Sequence, residues 1–216
     1  MPNNYDNIAS TYDFLSQLVF GQALRNSQKV LLHHIPPCAK VLIVGGGTGW
    51  ILEEITKIHT SGLDITYVEI SEKMIALSRQ KNAGSNVVKF VNVPVENFRA
   101  GQHYDIIFTA FLFDNFQVSR IQNVFRQLDR LLEPGGKWLF ADFHIDHYNG
   151  SLWKIVLLKT MLVFFKIVCG IEAEKLTDMA PYFTGSGYLV LQESYHFSRF
   201  IKGLAYHKPV TADILS

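Results

Sequence analysis

The chain has 216 residues, 48% of them apolar, enough to bury one sizeable core in a single domain. Its 20 basic and 19 acidic residues are evenly scattered and leave a net charge of +1, so no basic stripe offers itself to phosphates and nucleic acid is a poor partner. Cys38 and Cys169 lie far apart in apolar contexts without metal-ligand spacing and read as buried thiols of a reducing compartment, and the polar start Met1 to Asp6 carries no apolar signal core, so a cytoplasmic protein is expected.

An opening helical segment, about Ser10 to Ile35, is stopped by Pro36-Pro37. Val41-Leu42-Ile43-Val44 then reads as a buried strand that breaks directly into Gly45-Gly46-Gly47-Thr48-Gly49, and a helix-compatible segment follows from Trp50 to Ile58. Strand, glycine turn, helix is the layout in which bare backbone amides and a helix N-terminus face a ligand. A dinucleotide fingerprint G-x-G-x-x-G would need its third glycine at position 50, where Trp50 stands; the chain has G-x-G-x-G through Gly45, Gly47 and Gly49. No Gly-Lys-Ser/Thr follows, which excludes a P-loop.

A second apolar run, Ile65 to Ser71, ends in a carboxylate, Glu69, 20 residues beyond Gly49. That is the reach from one strand's turn, along a helix, to the tip of the neighbouring strand. Ser71 is placed to N-cap a helix from Glu72 to about Lys81. Asn82 to Asn86 form a turn cluster before the strand Val87 to Val91, and Tyr104 to Phe111 is again almost wholly apolar. The helix from Val118 to Leu132 has one apolar face (Ile121, Val124, Phe125, Leu128, Leu131, Leu132), and Pro134-Gly135-Gly136 turns into the strand Lys137 to Asp142. Five apolar strands separated by helices imply an α/β protein with a parallel sheet covered on both faces.

These motifs resemble those of the class I S-adenosylmethionine-dependent methyltransferases, in the G-x-G-x-G turn, the acid ending the second strand, Asp105 at the start of the fourth strand and the Pro-Gly-Gly turn before the fifth. The opening Tyr5-Asp6-Asn7-Ile8-Ala9-Ser10-Thr11-Tyr12-Asp13 is similar to that of small-molecule members, including the ubiquinone/menaquinone-biosynthesis C-methyltransferases. The resemblance implies a doubly wound, Rossmann-like, mostly parallel seven-stranded sheet closed by an antiparallel C-terminal hairpin. Leu189 to Arg199 and Phe200 to His207 are the segments for that hairpin, with Gly203 interrupting the last strand. Residues 1–216 are then one methyltransferase domain, with a helical lid at 1–35 and a substrate-side insertion at 148–187.

The implied cofactor is S-adenosylmethionine, leaving as S-adenosylhomocysteine (SAH). The resemblance assigns it to Gly45, Gly46, Gly47, Thr48 and Gly49, with Glu69 accepting both ribose hydroxyls and Ile70 covering the adenine. It also points to Tyr12 of the lid, facing the methyl-donor cleft, and to Thr109, Ala110 and Phe111 at the tip of the fourth strand. One departure concerns adenine: Pro94 stands where relatives often carry an acid after the third strand, which leaves the Val95 N–H and the side chains of Glu96 or Asn97 as candidates.

Methyl transfer from a sulfonium needs alignment and water exclusion more than acid–base chemistry. If the acceptor must lose a proton, His144 is the first candidate base by its pKa, with Asp114 and Asp142 beside it, and no dedicated base is the remaining reading. His144, Asp146 and His147 lack a further ligand at fixed spacing, so no metal is expected. Asn149-Gly150-Ser151 formally matches a glycosylation acceptor. Phe111, Phe113, Phe116, Tyr182, Phe183, Tyr188 and the apolar run Trp153 to Ile171 suggest a small apolar or aromatic acceptor, O- or C-methylated. The run reads first as a helix packed over the sheet and lining the acceptor pocket, then as a core helix, and last as an interfacial helix in peripheral contact with a membrane; Lys154, Lys159 and Lys166 make spanning costly. Two other classes stay open: an NAD-type oxidoreductase, and a non-catalytic protein that binds S-adenosylmethionine.

Overall fold

A computed structural model describes residues 6, 9, 12–144, 152–170, 173 and 175–210, without the side chains of 12–15, 162, 165 and 169. Seven strands form one sheet: β1 (Lys40–Val44), β2 (Ser61–Glu69), β3 (Ser85–Asn92), β4 (Tyr104–Ala110), β5 (Leu132–Phe143), β6 (Leu189–His196) and β7 (Ile201–His207). Their spatial order is β3-β2-β1-β4-β5-β7-β6. β1 to β5 run parallel, and β7 pairs antiparallel with both β5 and β6. The chain order reverses beside β1, between β2 and β4, so the crevice of a doubly wound sheet opens at the C-terminal tips of those three strands.

The apolar runs of the parallel strands feed two cores, because successive side chains leave a strand on opposite faces. Leu42 and Val44 join Ile107, Trp138 and the helix α5 (Val118–Leu131) on one face. Val41 and Ile43 join Ile65, Tyr67 and Phe108 with the helix α3 (Trp50–Ile58) on the other. Both faces are covered, which is why these strands show no polar alternation. α4 (Glu72–Ser78) begins as expected: the Ser71 hydroxyl accepts the Met74 N–H at 3.1 Å.

Several expectations are corrected. The opening helical segment is two helices, α1 (Tyr12–Phe20) and α2 (Ala23–Lys29), parted at Gly21, whose φ of +56° no continuous helix allows. Gly203 does not interrupt β7. The strand runs through it, and the missing side chain lets α2 approach, since a Cβ there would lie 2.5 Å from the Ser27 carbonyl oxygen. Cys38 is exposed, in a left-handed turn after the two prolines, and the Cys169 side chain lies outside the described residues. Pro134-Gly135-Gly136 is absorbed within β5, as an irregularity where its pairing with β4 slips between Tyr104 and Ile106.

The aromatic residues expected at the acceptor belong mostly to the core. Phe183, on the short helix α7 (Ala180–Gly185), stacks on Tyr206 with ring centroids 3.9 Å apart. Tyr188 is buried, and its hydroxyl donates to Asp129 at 2.7 Å. The apolar run forms α6 (Leu152–Cys169). It touches the body of the protein along one edge, where Leu157, Leu158 and Met161 meet Phe20, Phe143, Phe200 and Ile201. No helix among the described residues is long and apolar enough to cross a membrane.

Candidate cofactor cleft

The glycine turn after β1 is held from below. The Gly45 N–H donates to the Val68 carbonyl at 2.9 Å, and the Tyr67 hydroxyl donates to the Gly47 carbonyl at 3.0 Å. The Tyr67 ring fills the space beneath Gly46, where a Cβ would come within 2.4 Å of it. Gly47 faces the other way: at φ +62° a Cβ would meet nothing within 4 Å, so its backbone borders open cleft. Gly49, at φ +82°, stands before the first turn of α3 and packs against α4, its virtual Cβ 2.5 Å from Ser78. Each glycine therefore has a separate reason, and only the first three border the cleft directly.

Glu69 closes the adjoining side. Its Oε2 accepts the Gly47 N–H at 3.1 Å and its Oε1 accepts the Ser71 N–H at 3.0 Å. The residue is 6% exposed, and burial raises its carboxyl pKa against the opposing pull of those N–H groups and that of Ile70. The Asn92 amide donates to the carbonyls of Glu69 and Ile70, both at 2.9 Å, fixing the tip of β2 to β3. Asp6 of the N-terminal segment accepts from the Ser71 hydroxyl at 2.5 Å and the Lys73 N–H at 3.2 Å, which brings that segment beside the same strand tip.

The cleft is open at its mouth and encloses about 130 Å³, less than the roughly 300–1,000 Å³ usual for small-ligand sites. Gly45, Gly46, Gly47, Thr48, Glu69, Ile70, Val95, Ala110 and Phe111 all line it, so the structure brings together most of the residues singled out by the motifs. Phe111 adopts φ +51°, an unusual state for a phenylalanine, and its ring lies 5.0 Å from that of Phe143. Pro94 and Val95 form the wall after β3.

Other expected residues lie elsewhere. Thr109 is fully buried behind the wall, its hydroxyl accepting the Trp138 indole N–H at 2.8 Å, because odd positions of β4 point into the α5 core. Glu96 pairs with Arg120 instead of bordering the cleft, and Arg120 itself lines the cleft and lies over the Phe116 ring at 4.2 Å. The Asn97 side chain is exposed. The Tyr12 side chain, Asp146, His147 and Asn149-Gly150-Ser151 lie outside the described residues.

The three candidate bases separate. His144 follows β5 but faces the β6 edge, its ring 5.7 Å from that of Tyr195, and it does not border the cleft. Asp114 belongs to the loop that supplies Phe111, Leu112, Asn115 and Phe116 to the cleft wall. Its Oδ1 accepts the Asn115 amide at 2.8 Å, and its own N–H donates to Asp142. Burial pushes the Asp114 carboxyl up to about 7, and burial together with the Asp114 charge holds Asp142 well above the usual carboxylate range.

Sequence reasoning passed over Tyr67, Leu112, Asn115, Arg120 and the α2 residue Gln28, all at the cleft or holding it. Tyr67 carried a signal, a polar atom inside an apolar strand next to a glycine turn. The others are ordinary residues brought in by the fold.

The bare main chain facing open space at Gly47, beside a buried carboxylate at the next strand tip, fits a nucleoside cofactor whose sugar hydroxyls seek an acceptor. Fold and cleft together define an α/β protein of the nucleoside-cofactor class. Residues 41–136 match the methyltransferase domain family. The chain is 30% identical over 167 residues to the ubiquinone/menaquinone biosynthesis C-methyltransferase UbiE of Geotalea daltonii, covering 74% of this chain and 67% of that one. It is 25% identical to malonyl-[acyl-carrier protein] O-methyltransferase 2 of Ilyobacter polytropus, covering 97% and 83%. Against other curated relatives it spans only about half their length, 50% to 57%. The magnesium protoporphyrin IX methyltransferase ChlM of Synechocystis, solved with bound SAH, has the same fold at a TM-score of 0.63 and 16% identity, covering 94% and 97%. The chain belongs to the class I S-adenosylmethionine-dependent methyltransferases.

Proposed function

We propose that this chain transfers a methyl group from S-adenosylmethionine to a small acceptor of apolar or aromatic character. The observation that carries the cofactor's placement is the Glu69 carboxylate, tied through one oxygen to the Gly47 N–H and buried at the cleft. In this reading Gly45, Gly46, Gly47 and Thr48 hold the cofactor through main chain, Glu69 takes the ribose hydroxyls through its remaining lone pairs, and Ile70 and Val95 flank the adenine. When bound, the cofactor supplies an electrophilic methyl carbon on its sulfonium.

The rest of the work falls to this chain's own residues. Phe111, Leu112 and Phe116 line the cleft with apolar surface, which supports an apolar acceptor and excludes water around the reacting atoms. The N-terminal segment, tethered by Asp6 and contributing Gln28 to the cleft, acts as the lid. If the acceptor must lose a proton, Asp114 is the candidate whose loop forms the wall, although its own side chain lies behind the lining, and burial raises its carboxyl to about 7. The two curated relatives named above are a C- and an O-methyltransferase, and the side chains at the cleft favour neither. Incubating the full chain with radiolabelled S-adenosylmethionine and a panel of quinols, phenols and lipid-like acceptors tests this. Label appearing in an apolar or aromatic product supports it, whereas label only in polar or protein acceptors refutes the acceptor class.

A further inference from the structure

α6 leaves a broad apolar face bare. Leu152 is 80% exposed, Val156 63%, Val163 57% and Ile167 79%. At about 100° per residue these four fall within an arc of about 60° on one side of the helix. Trp153 and Phe164, both more than two-fifths exposed, border this stripe on one flank. Lys159 and Lys166, both exposed, border it on the other. The opposite side, with Leu158, holds the helix to the body of the protein. Soluble surfaces seldom leave such a patch uncovered.

We propose that this face of α6 rests in the plane of an anionic phospholipid bilayer. Charge selects this occupant. The helix has no acidic residue and two exposed lysines, Lys159 and Lys166, Lys154 being buried, and Arg199 is exposed in the turn whose Phe197 packs 5.9 Å from Trp153. Lys159, Lys166 and Arg199 thus place positive charge beside this apolar patch. A second copy seated on the same face would set lysine against lysine with no acid on the helix to offset them. Aliphatic side chains inserted among acyl chains, an aromatic flank at the headgroup level and lysines on lipid phosphates are what an interfacial helix presents. The same three lysines make crossing the bilayer costly, so the helix lies flat. The face is separate from the cleft, and the proposal does not rest on methyl transfer.

The test is flotation of the full chain with phosphatidylcholine vesicles and with vesicles containing phosphatidylglycerol, alongside V156E/I167E and K159E/K166E. The wild type floats with anionic vesicles and is released by salt. V156E/I167E binds them about tenfold or more weakly, K159E/K166E loses the preference for phosphatidylglycerol, and both unfold at the wild-type temperature by circular dichroism. The proposal is overturned by wild type that fails to float, by equal binding to both lipid compositions, or by a wild-type dimer in sedimentation velocity that V156E/I167E splits while vesicle binding is absent.

Discussion

Gly47 donates its backbone N–H to Glu69 at 3.1 Å, so the acid at the tip of β2 and the glycine turn at the tip of β1 are one assembly. Moving the carboxylate moves the turn, and filling the turn disturbs the carboxylate. The Tyr67 hydroxyl, bonded to the carbonyl of the same glycine, pins the other side of that peptide segment.

The two neighbouring glycines should therefore respond differently to a methyl group. Gly46→Ala drives a Cβ into the Tyr67 ring and destabilises the fold by about 1–3 kcal/mol. Gly47→Ala meets no protein atom but adds strain of about 1 kcal/mol at positive φ and projects a methyl toward the cleft. Thermal unfolding combined with calorimetric titration of SAH separates them. The first variant loses mainly melting temperature, and the second loses affinity out of proportion to its stability.

Asp114 and Asp142 set a pH dependence. A carboxyl whose folded pKa lies above its unfolded value binds more protons in the folded state, so stability is greatest at low pH and falls as pH rises from the unfolded value of 3.8 toward about 7. Asp142→Asn keeps an oxygen for the N–H groups of Phe143 and Asp114 without carrying charge. It should flatten this slope and raise the melting temperature at pH 8, by about 2–4 °C for each kcal/mol recovered. Melting curves between pH 4 and 8 that coincide for the two proteins would argue against a raised Asp142 carboxyl in the folded state.

His144→Ala should leave turnover within about threefold of wild type, because the ring faces Tyr195 rather than the cleft, whereas Asp114→Asn should cost about 10²–10⁴-fold if the acceptor is deprotonated. Initial rates with the acceptor found by screening measure both. A large loss in the histidine variant alone would return the base to β5.

Asp6→Ala removes the carboxylate that receives the Ser71 hydroxyl and the Lys73 N–H. Cofactor affinity should fall several-fold, by about 0.5–1.5 kcal/mol, with faster proteolysis of the first 35 residues and little change in melting temperature. Unchanged proteolysis and affinity would leave the lid without its tether.

Much of the layout was legible in the sequence because the signals were local. The run Val41 to Val44 ending in glycines, Ser71 before Glu72 and the apolar face of α5 each sit within one element, and each formed where expected. What failed needed knowledge of which face a side chain takes or what lies next to it. Thr109 is one residue from Ala110, yet the strand's alternation sends it behind the wall. Phe183 and Tyr188 looked like acceptor-binding aromatics, but β7 returned Tyr206 to stack with them in the core. Gly203 read as a strand break because the approach of α2, distant in sequence, leaves no trace in β7 itself. α6 was visible as an apolar helix, but hydropathy alone does not say which edge of it, the one with Leu157, Leu158 and Met161, packs on the core.

Isothermal titration of the full chain with SAH, in wild type and in Glu69→Ala, probes the cleft most directly. Wild type should bind SAH and not NADH, and the variant should bind more weakly by about 1.5–3 kcal/mol, since a charged acceptor for the sugar hydroxyls is gone. Wild type that takes up NADH and ignores SAH, or a variant with undiminished affinity, would contradict the placement of the nucleoside between Gly47 and Glu69.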